Sequence, residues 1–246
     1  MEPAVEYVDL EQLLANYSWI VVGVSSLLLT ILAAISLIIK KPSKIAKTLL
    51  FGLMCFITIG STVYLSGSTV YLNVISDSKG PVHWHTDFEV WSCGQELELI
   101  DPANWWENKV GTATLHEHND KRIHLEGVVV HKTDASLGKF LKVVGGNLSN
   151  DQLIFPSNDG LITLKSGDTC PNGQTAQLQG FVYKVTDGAY KQEKLTDLPS
   201  YIISAESVVP PGDCVIIELD SPKDKTDKLC RSFKVAEQIH KVRKGD

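Results

Sequence analysis

Thioethers are almost missing from this 246-residue chain: Met1 and Met54 are its two methionines, and neither lies beyond residue 75. A methionine-rich copper(I) site or a blue-copper centre with an axial methionine is therefore disfavoured in the downstream part. Catalytic signatures are missing as well, since no GxSxG, Walker-type phosphate loop or HExxH occurs. Net charge is −6 and no basic stripe interleaved with aromatics is present, so nucleic acid is not an expected partner. Other absences are local. Residues 1–16 carry Glu2, Glu6, Asp9 and Glu11 but no base, and residues 40–47 carry Lys40, Lys41, Lys44 and Lys47 but no acid.

The longest absence is of any charge at all, from Tyr17 to Ile39 and again from Thr48 to Ile75. At ~1.5 Å rise per residue either run is long enough to cross a hydrocarbon core of ~30 Å. The chain therefore predicts an acidic tail over 1–16 and a two-helix transmembrane hairpin over 17–75, with a basic turn at 40–47. A cleaved signal peptide is the competing reading, but its leading region would be basic and its apolar run shorter. Lysines flanking spans are retained on the cytoplasmic side, so the turn is expected inside and both termini outside, a two-pass protein of the cell membrane with the bilayer as its first partner. Within the second run, GSTVYLSGSTVYL repeats Gly60 and Ser61 as Gly67 and Ser68. That stripe suits either a close helix contact in lipid or a turn where the helix ends.

Beyond residue 75, short segments rich in valine, isoleucine and aromatics are broken by NDK, GGN, SNDG, SGD, PNGQ and PPGD, the rhythm of a mainly β domain. Its expected span is 76–220, followed by a basic tail over 221–246. One helix is predicted in DASLGKFLKVVGG, capped by Asp134 or Ser136, with Leu137, Phe140, Leu141 and Val144 on one face. Strands are expected at AQLQGFVYKV and DCVIIELDS. In the tail, Phe233, Ala236, Ile239 and Val242 have helical spacing; docking on the domain and contact with lipid headgroups are the alternatives to a solvated helix, which is the default expectation there. Cys93, Cys170, Cys214 and Cys230 all fall beyond the runs, while Cys55 lies inside one. An even number outside suggests two disulfides. Of the three possible pairings, Cys214 with Cys230 and Cys93 with Cys170 is favoured. Asn16 and Asn147 head glycosylation sequons, which matter only in a host that uses them.

Histidine is concentrated: six of the seven lie between His83 and His131. In HWHTDFEVW, strand alternation puts Val82, Trp84, Phe88 and Val90 on one side and His83, His85, Asp87, Glu89 and Trp91 on the other. In TLHEHNDKRIHLEG, pairing Leu115 with Leu125 leaves a three-residue loop, Asn119–Lys121, and sets His116 opposite His124. His83, His85, His116, His118 and His124 then converge from three strands on non-core faces, with at least three ring nitrogens expected within about 4 to 5 Å of one another. Imidazole is the commonest protein metal ligand, and copper and zinc both suit it. Asp87, Glu89, Glu117 and Glu126 are candidates to orient the rings or join the shell. Histidines on a sheet face also serve as ordinary polar surface or as a pH-sensitive interface.

His83-x-His85-xxx-Glu89 is similar to the first half of the cupin signature. Its second half would need a histidine soon after PxG, and Pro210-Pro211-Gly212 is followed instead by Asp213, Cys214 and Val215. Taken together, HWHTDFEVWSCG, HEHNDKRIHLEG, SLGKFLKVVGG and PPGDCVIIEL resemble a group of small membrane-anchored extracytoplasmic proteins, over roughly residues 81–219. Lys121 stands in the turn where a glycine is expected. The resemblance implies an α+β domain with a β-grasp-like C-terminal part, one central helix on a mixed sheet, and a histidine site, and it supplies no activity. Three functions stay open: a membrane-tethered module that captures, delivers or presents copper or zinc; a metal-independent interaction domain, using Trp84, Trp91, Trp105, Trp106 and the histidine face to bind a membrane or cell-surface protein or cell-wall polymer; and a metal-dependent hydrolase or oxidase.

Overall fold

The computed structural model describes residues 10–104, 106–203 and 212–245. Glu2, Glu6 and Asp9 of the acidic tail, Trp105, Pro210 and Pro211 lie outside them. The chain forms two compact units divided after Gly80, and the class is α+β.

The first unit is a pair of helices, α1 (Leu10–Ile38) and α2 (Lys44–Ile75), lying against each other. Ser43 caps α2 by accepting the Ala46 N–H at 3.1 Å. By length and composition both helices could cross a membrane, and neither buries a residue within the protein. Trp19 is 77% exposed and Leu37 84%. α1 begins seven residues before Tyr17, so the end of the acidic stretch is already helical. The GSTVYLSGSTVYL repeat is helical throughout, which removes its reading as a turn. Its hydroxyls fold back onto the helix, Thr62 donating to the Thr58 carbonyl at 2.7 Å and Thr69 to that of Leu65 at 2.9 Å.

The second unit contains β1 (Pro81–Ser92), β2 (Gln95–Leu97), β3 (Val110–Gly111), β4 (Leu115–Glu117), β5 (Arg122–Val128), α3 (Leu137–Val143), β6 (Asn147–Leu148), β7 (Gln152–Ser157), β8 (Gly160–Lys165), β9 (Gln177–Thr186), β10 (Ala189–Leu195), β11 (Asp213–Asp220), α4 (Arg231–Gln238) and β12 (Arg243–Lys244). A mixed sheet runs β12-β10-β9-β11-β1-β5-β4-β3, with β2 also on β1, and β6-β7-β8 form a second sheet. β1 and β11 are parallel neighbours at its centre. Both faces of that centre are covered, which is why CVIIEL reads as a continuous rather than alternating apolar run. Phe88, Val90, Leu125, Val215 and Ile217 pack with Leu137, Phe140 and Leu141 of α3 on one face. Phe181, Ile216 and the Cys214–Cys230 disulfide pack with Phe233 and Ala236 of α4 on the other. The second disulfide is Cys93–Cys170, so both join the pairs favoured from the sequence.

Ser136 caps α3, accepting the Lys139 N–H at 3.2 Å, while Asp134 accepts the His131 N–H at 2.9 Å to close the preceding 3-10 turn. α4 is docked rather than solvated, with Phe233 fully buried. The helix ends at Gln238, however, and His240 adopts a left-handed φ of 56°. The spacing is broken there, so Ile239 turns outward while Val242 returns to the core. Gly212, at φ +78°, crosses so close to β1 that a Cβ would overlap the His85 carbonyl oxygen. The glycine of PPGD is thus explained by its close approach to β1 at the start of the parallel pairing with β11.

Candidate metal centre

The centre is set by two strand pairings. β1 and β5 are antiparallel with His83 opposite Glu126, Trp84 opposite Leu125 and His85 opposite His124. β4 and β5 are antiparallel with Leu115 opposite Leu125 and His116 opposite His124. Leu125 therefore locks both pairings on the core face, and His85, His124 and His116 form a row across three strands on the other. His83 adjoins the row two residues along β1, and His118 follows the end of β4.

The turn that permits this uses two non-glycine residues in left-handed conformations, Asn119 (φ 63°) and Lys121 (φ 59°). Glu117 compensates by accepting the N–H groups of Asp120 at 2.6 Å and Lys121 at 2.8 Å. The Lys121 ammonium is held by Glu96 at 2.6 Å. A lysine thus stands where glycine was expected because its backbone and side chain are both anchored.

Ring centroids lie 4.5 Å apart for His83 and His85, 4.7 Å for His85 and His124, 4.7 Å for His116 and His118, and 4.9 Å for His118 and His124. His116 and His124 stack nearly parallel at 5.6 Å. One ring nitrogen from each of His83, His85 and His124 lies within 4.8 Å of the others, and the same holds for His116, His118 and His124. Each triad could hold a metal ion. Bonds of ~2.0–2.1 Å keep ligand nitrogens no more than about 4.2 Å apart, close to the observed limit of 4.8 Å.

Charge and proton positions suit that use. Burial pushes His85 down to about 4, helped by His124, His83 and Arg122 nearby. Burial also pushes His116 down to about 4, with Lys109 and His118 adding to it. His124 is lowered by burial against the opposing pull of Asp120. These three rings are therefore neutral at pH 7, the form that binds metals. An ionised carboxylate or a carbonyl can only accept. His83 Nε2 therefore donates to Glu126 at 3.0 Å, His124 Nε2 to Asp120 at 3.2 Å, and His118 Nδ1 to the Asn108 carbonyl at 2.6 Å. In the neutral His124 ring that leaves the lone pair on Nδ1. His116 Nδ1 is enclosed with no hydrogen-bond partner, an arrangement that native interiors rarely tolerate without a reason.

The four carboxylates expected around the rings divide. Glu126 joins the cluster through His83. Asp87 instead accepts from Arg122 Nε at 2.6 Å and from the Ser232 hydroxyl. Glu89 accepts from Trp91 Nε1 at 3.1 Å and from the Arg231 N–H at 3.1 Å. Burial raises both of their pKa values, so they sit at some electrostatic cost while holding the start of α4. Glu117 braces the turn. Asp120, a loop residue by its sequence, orients the central histidine; its sole sequence signal is a carboxylate in the turn four residues before His124. Among the tryptophans, Trp84 is half-buried against the core, Trp91 lies under the Lys228 ammonium at 4.9 Å, and Trp106 is exposed. A cleft of about 620 Å³ beside the centre is lined by Asp87, Glu89, Asp120, Arg122 and residues of α4.

Compared with protein-family models, curated proteins and solved structures, the chain has no match.

Proposed function

We propose that this protein is a membrane-tethered metal-binding module that captures, delivers or presents copper or zinc outside the cytoplasm. The observation that carries the reading is the pair of histidine triads meeting at His124, with the His124 Nδ1 lone pair left open by its bond to Asp120 and a buried His116 nitrogen lacking any partner. Nitrogen-only ligation suits copper(II) and zinc, and the methionine-free outer part disfavours thioether-bound copper(I). The tether is supported by helices whose apolar side chains face outward and whose hydroxyls are bonded internally, as hydrocarbon surroundings require. The lysine turn supports a cytoplasmic loop, and two disulfides support an oxidising compartment for the domain. α3 lying on a mixed sheet supports the β-grasp likeness. The partners proposed are the bilayer and a membrane or cell-surface protein that gives or receives the ion.

The test is metal analysis of the full chain purified in detergent, after re-addition of copper(II) or zinc and removal of excess. The expected outcome is at least one ion per chain, with a large loss in the His124→Ala variant. Substoichiometric retention of both metals would remove the reading and leave the domain to an interaction role.

A further inference from the structure

The two triads are not equivalent. The His83 side chain is 62% exposed, whereas His116 is 1% exposed. One triad contains an exposed histidine and the other a buried one, and half-buried His124 belongs to both. A shared histidine can serve two ions at once only if both of its nitrogens are deprotonated and bound. Here Asp120 occupies His124 Nε2 at 3.2 Å, and because the carboxylate accepts, that nitrogen carries the proton. His124 then offers a single lone pair, from Nδ1, and one lone pair binds one ion.

We infer that the five histidines form two alternative positions for one divalent first-row cation: an outer one at His83, His85 and His124, and an inner one at His116, His118 and His124, between which the ion passes without leaving His124. The inference rests on the metal-binding reading and adds a path to it. In the transfer, the bonds to His83 and His85 break, bonds to His116 and His118 form, and the bond to His124 persists. No electron moves, and no proton need move. The geometry keeps the step short, because His124 lies 4.7 Å from His85 on one side and 4.9 Å from His118 on the other, centroid to centroid. The His116 Nδ1 without a partner is the feature that gives the ion reason to move inward, since binding there satisfies a buried donor atom that is otherwise orphaned. The triad with the exposed His83 captures, and the one with the buried His116 retains.

Copper(II) is the probe, added to the full chain in detergent micelles and read by bound copper per chain and by electron paramagnetic resonance. Three variants separate the positions: H83A/H85A keeps only the inner triad, H118A disables the inner one while leaving the buried His116 in place, and H124A removes the shared ligand. The expected result is one copper per wild-type chain. H83A/H85A and H118A should each still bind copper, with different spectra, and a chelator should strip H118A faster than H83A/H85A. H124A should lose copper from both positions. Near-ultraviolet circular dichroism checks that each variant is folded, and H118Q replaces H118A if the latter is not. Two coppers bound together in the wild type would overturn the alternation, as would complete loss of copper in one folded outer or inner variant while the other binds normally. A wild type that binds neither copper nor zinc would instead remove the metal-binding reading itself.

Discussion

A carboxylate beside an imidazole decides which ring nitrogen carries the proton, and Asp120 does this for the one histidine common to both triads. Asp120→Asn keeps the size but can present an amide N–H to the ring, and outer-shell changes of this kind cost about 10–100-fold in metal affinity. Calorimetric titration of the full-chain variant with zinc should record a drop of that order with little change in metal-free stability, and an unchanged affinity would remove the orienting role. The rings themselves make a second, pH-dependent prediction for the metal-free protein. His85 titrates near 4 in the fold against ~6.5 unfolded. Between those values the unfolded chain binds the proton and the native chain does not, so stability is fully present above about 6.5 and falls as pH drops toward 4. Asp87 and Glu89, raised by burial, act with the opposite sign, because the native state protonates them first. The histidine contribution is isolated by difference: on moving from pH 7 to pH 5, His85→Ala should lose less urea resistance than the wild type. Equal losses would mean that His85 is not held neutral by the fold.

At the scale of elements, the three strands of the centre stand or fall on Leu125, which faces Trp84 on one side and Leu115 on the other and is 1% exposed. Leu125→Ala should destabilise the domain by about 2–5 kcal/mol and weaken metal binding along with it, measured by chemical unfolding and titration of the same preparation. A variant that loses stability but binds metal normally would mean that the register is set elsewhere. This part of the fold was legible because period-two alternation and a hairpin loop length are local arithmetic: matching Leu115 to Leu125 left only one register, and the histidines followed. The helix at α3 and the strands β9 and β11 were legible for the same reason, in caps and apolar runs. What could not be read depends on contacts distant in sequence. Glu89 meets the Arg231 N–H across 142 positions and Asp87 the Ser232 hydroxyl, so two carboxylates in line with the histidines on β1 are drawn to α4 instead. Trp84 shares the core-facing parity of β1 yet is only partly buried, while Phe88 and Leu125 are the buried residues there. Ile239 had helical spacing, yet the helix stops before it. The turn hid Asp120, since nothing in NDK says where a loop carboxylate will point.

The whole molecule poses a question of sidedness, because a metal site on an oxidising surface and one in the cytosol serve different chemistry. α1 and α2 expose their apolar side chains along their full length, a surface that water would penalise by ~25 cal/mol for each Å² and that hydrocarbon accepts. The charge bias lies in the link between them, where Lys40, Lys41, Lys44 and Lys47 stand without an acid, and bases beside spans are the groups retained inside. With an even number of spans, an inside link puts both ends outside, and the disulfides Cys93–Cys170 and Cys214–Cys230 are then in the compartment where they persist. A C-terminal epitope tag makes this proposed topology testable in one experiment. Protease added to intact spheroplasts should remove the tag and the domain while leaving a protected fragment the size of the helical hairpin. Replacing the four lysines by glutamine should produce a mixed population in which part of the tag survives, since the orienting bias is gone while the spans are untouched. Full protection of the tag in the wild type would put the domain in the cytosol, and the disulfides, the capture role and the outward-facing histidines would have to be reconsidered together, because all three depend on which side of the bilayer the lysines hold.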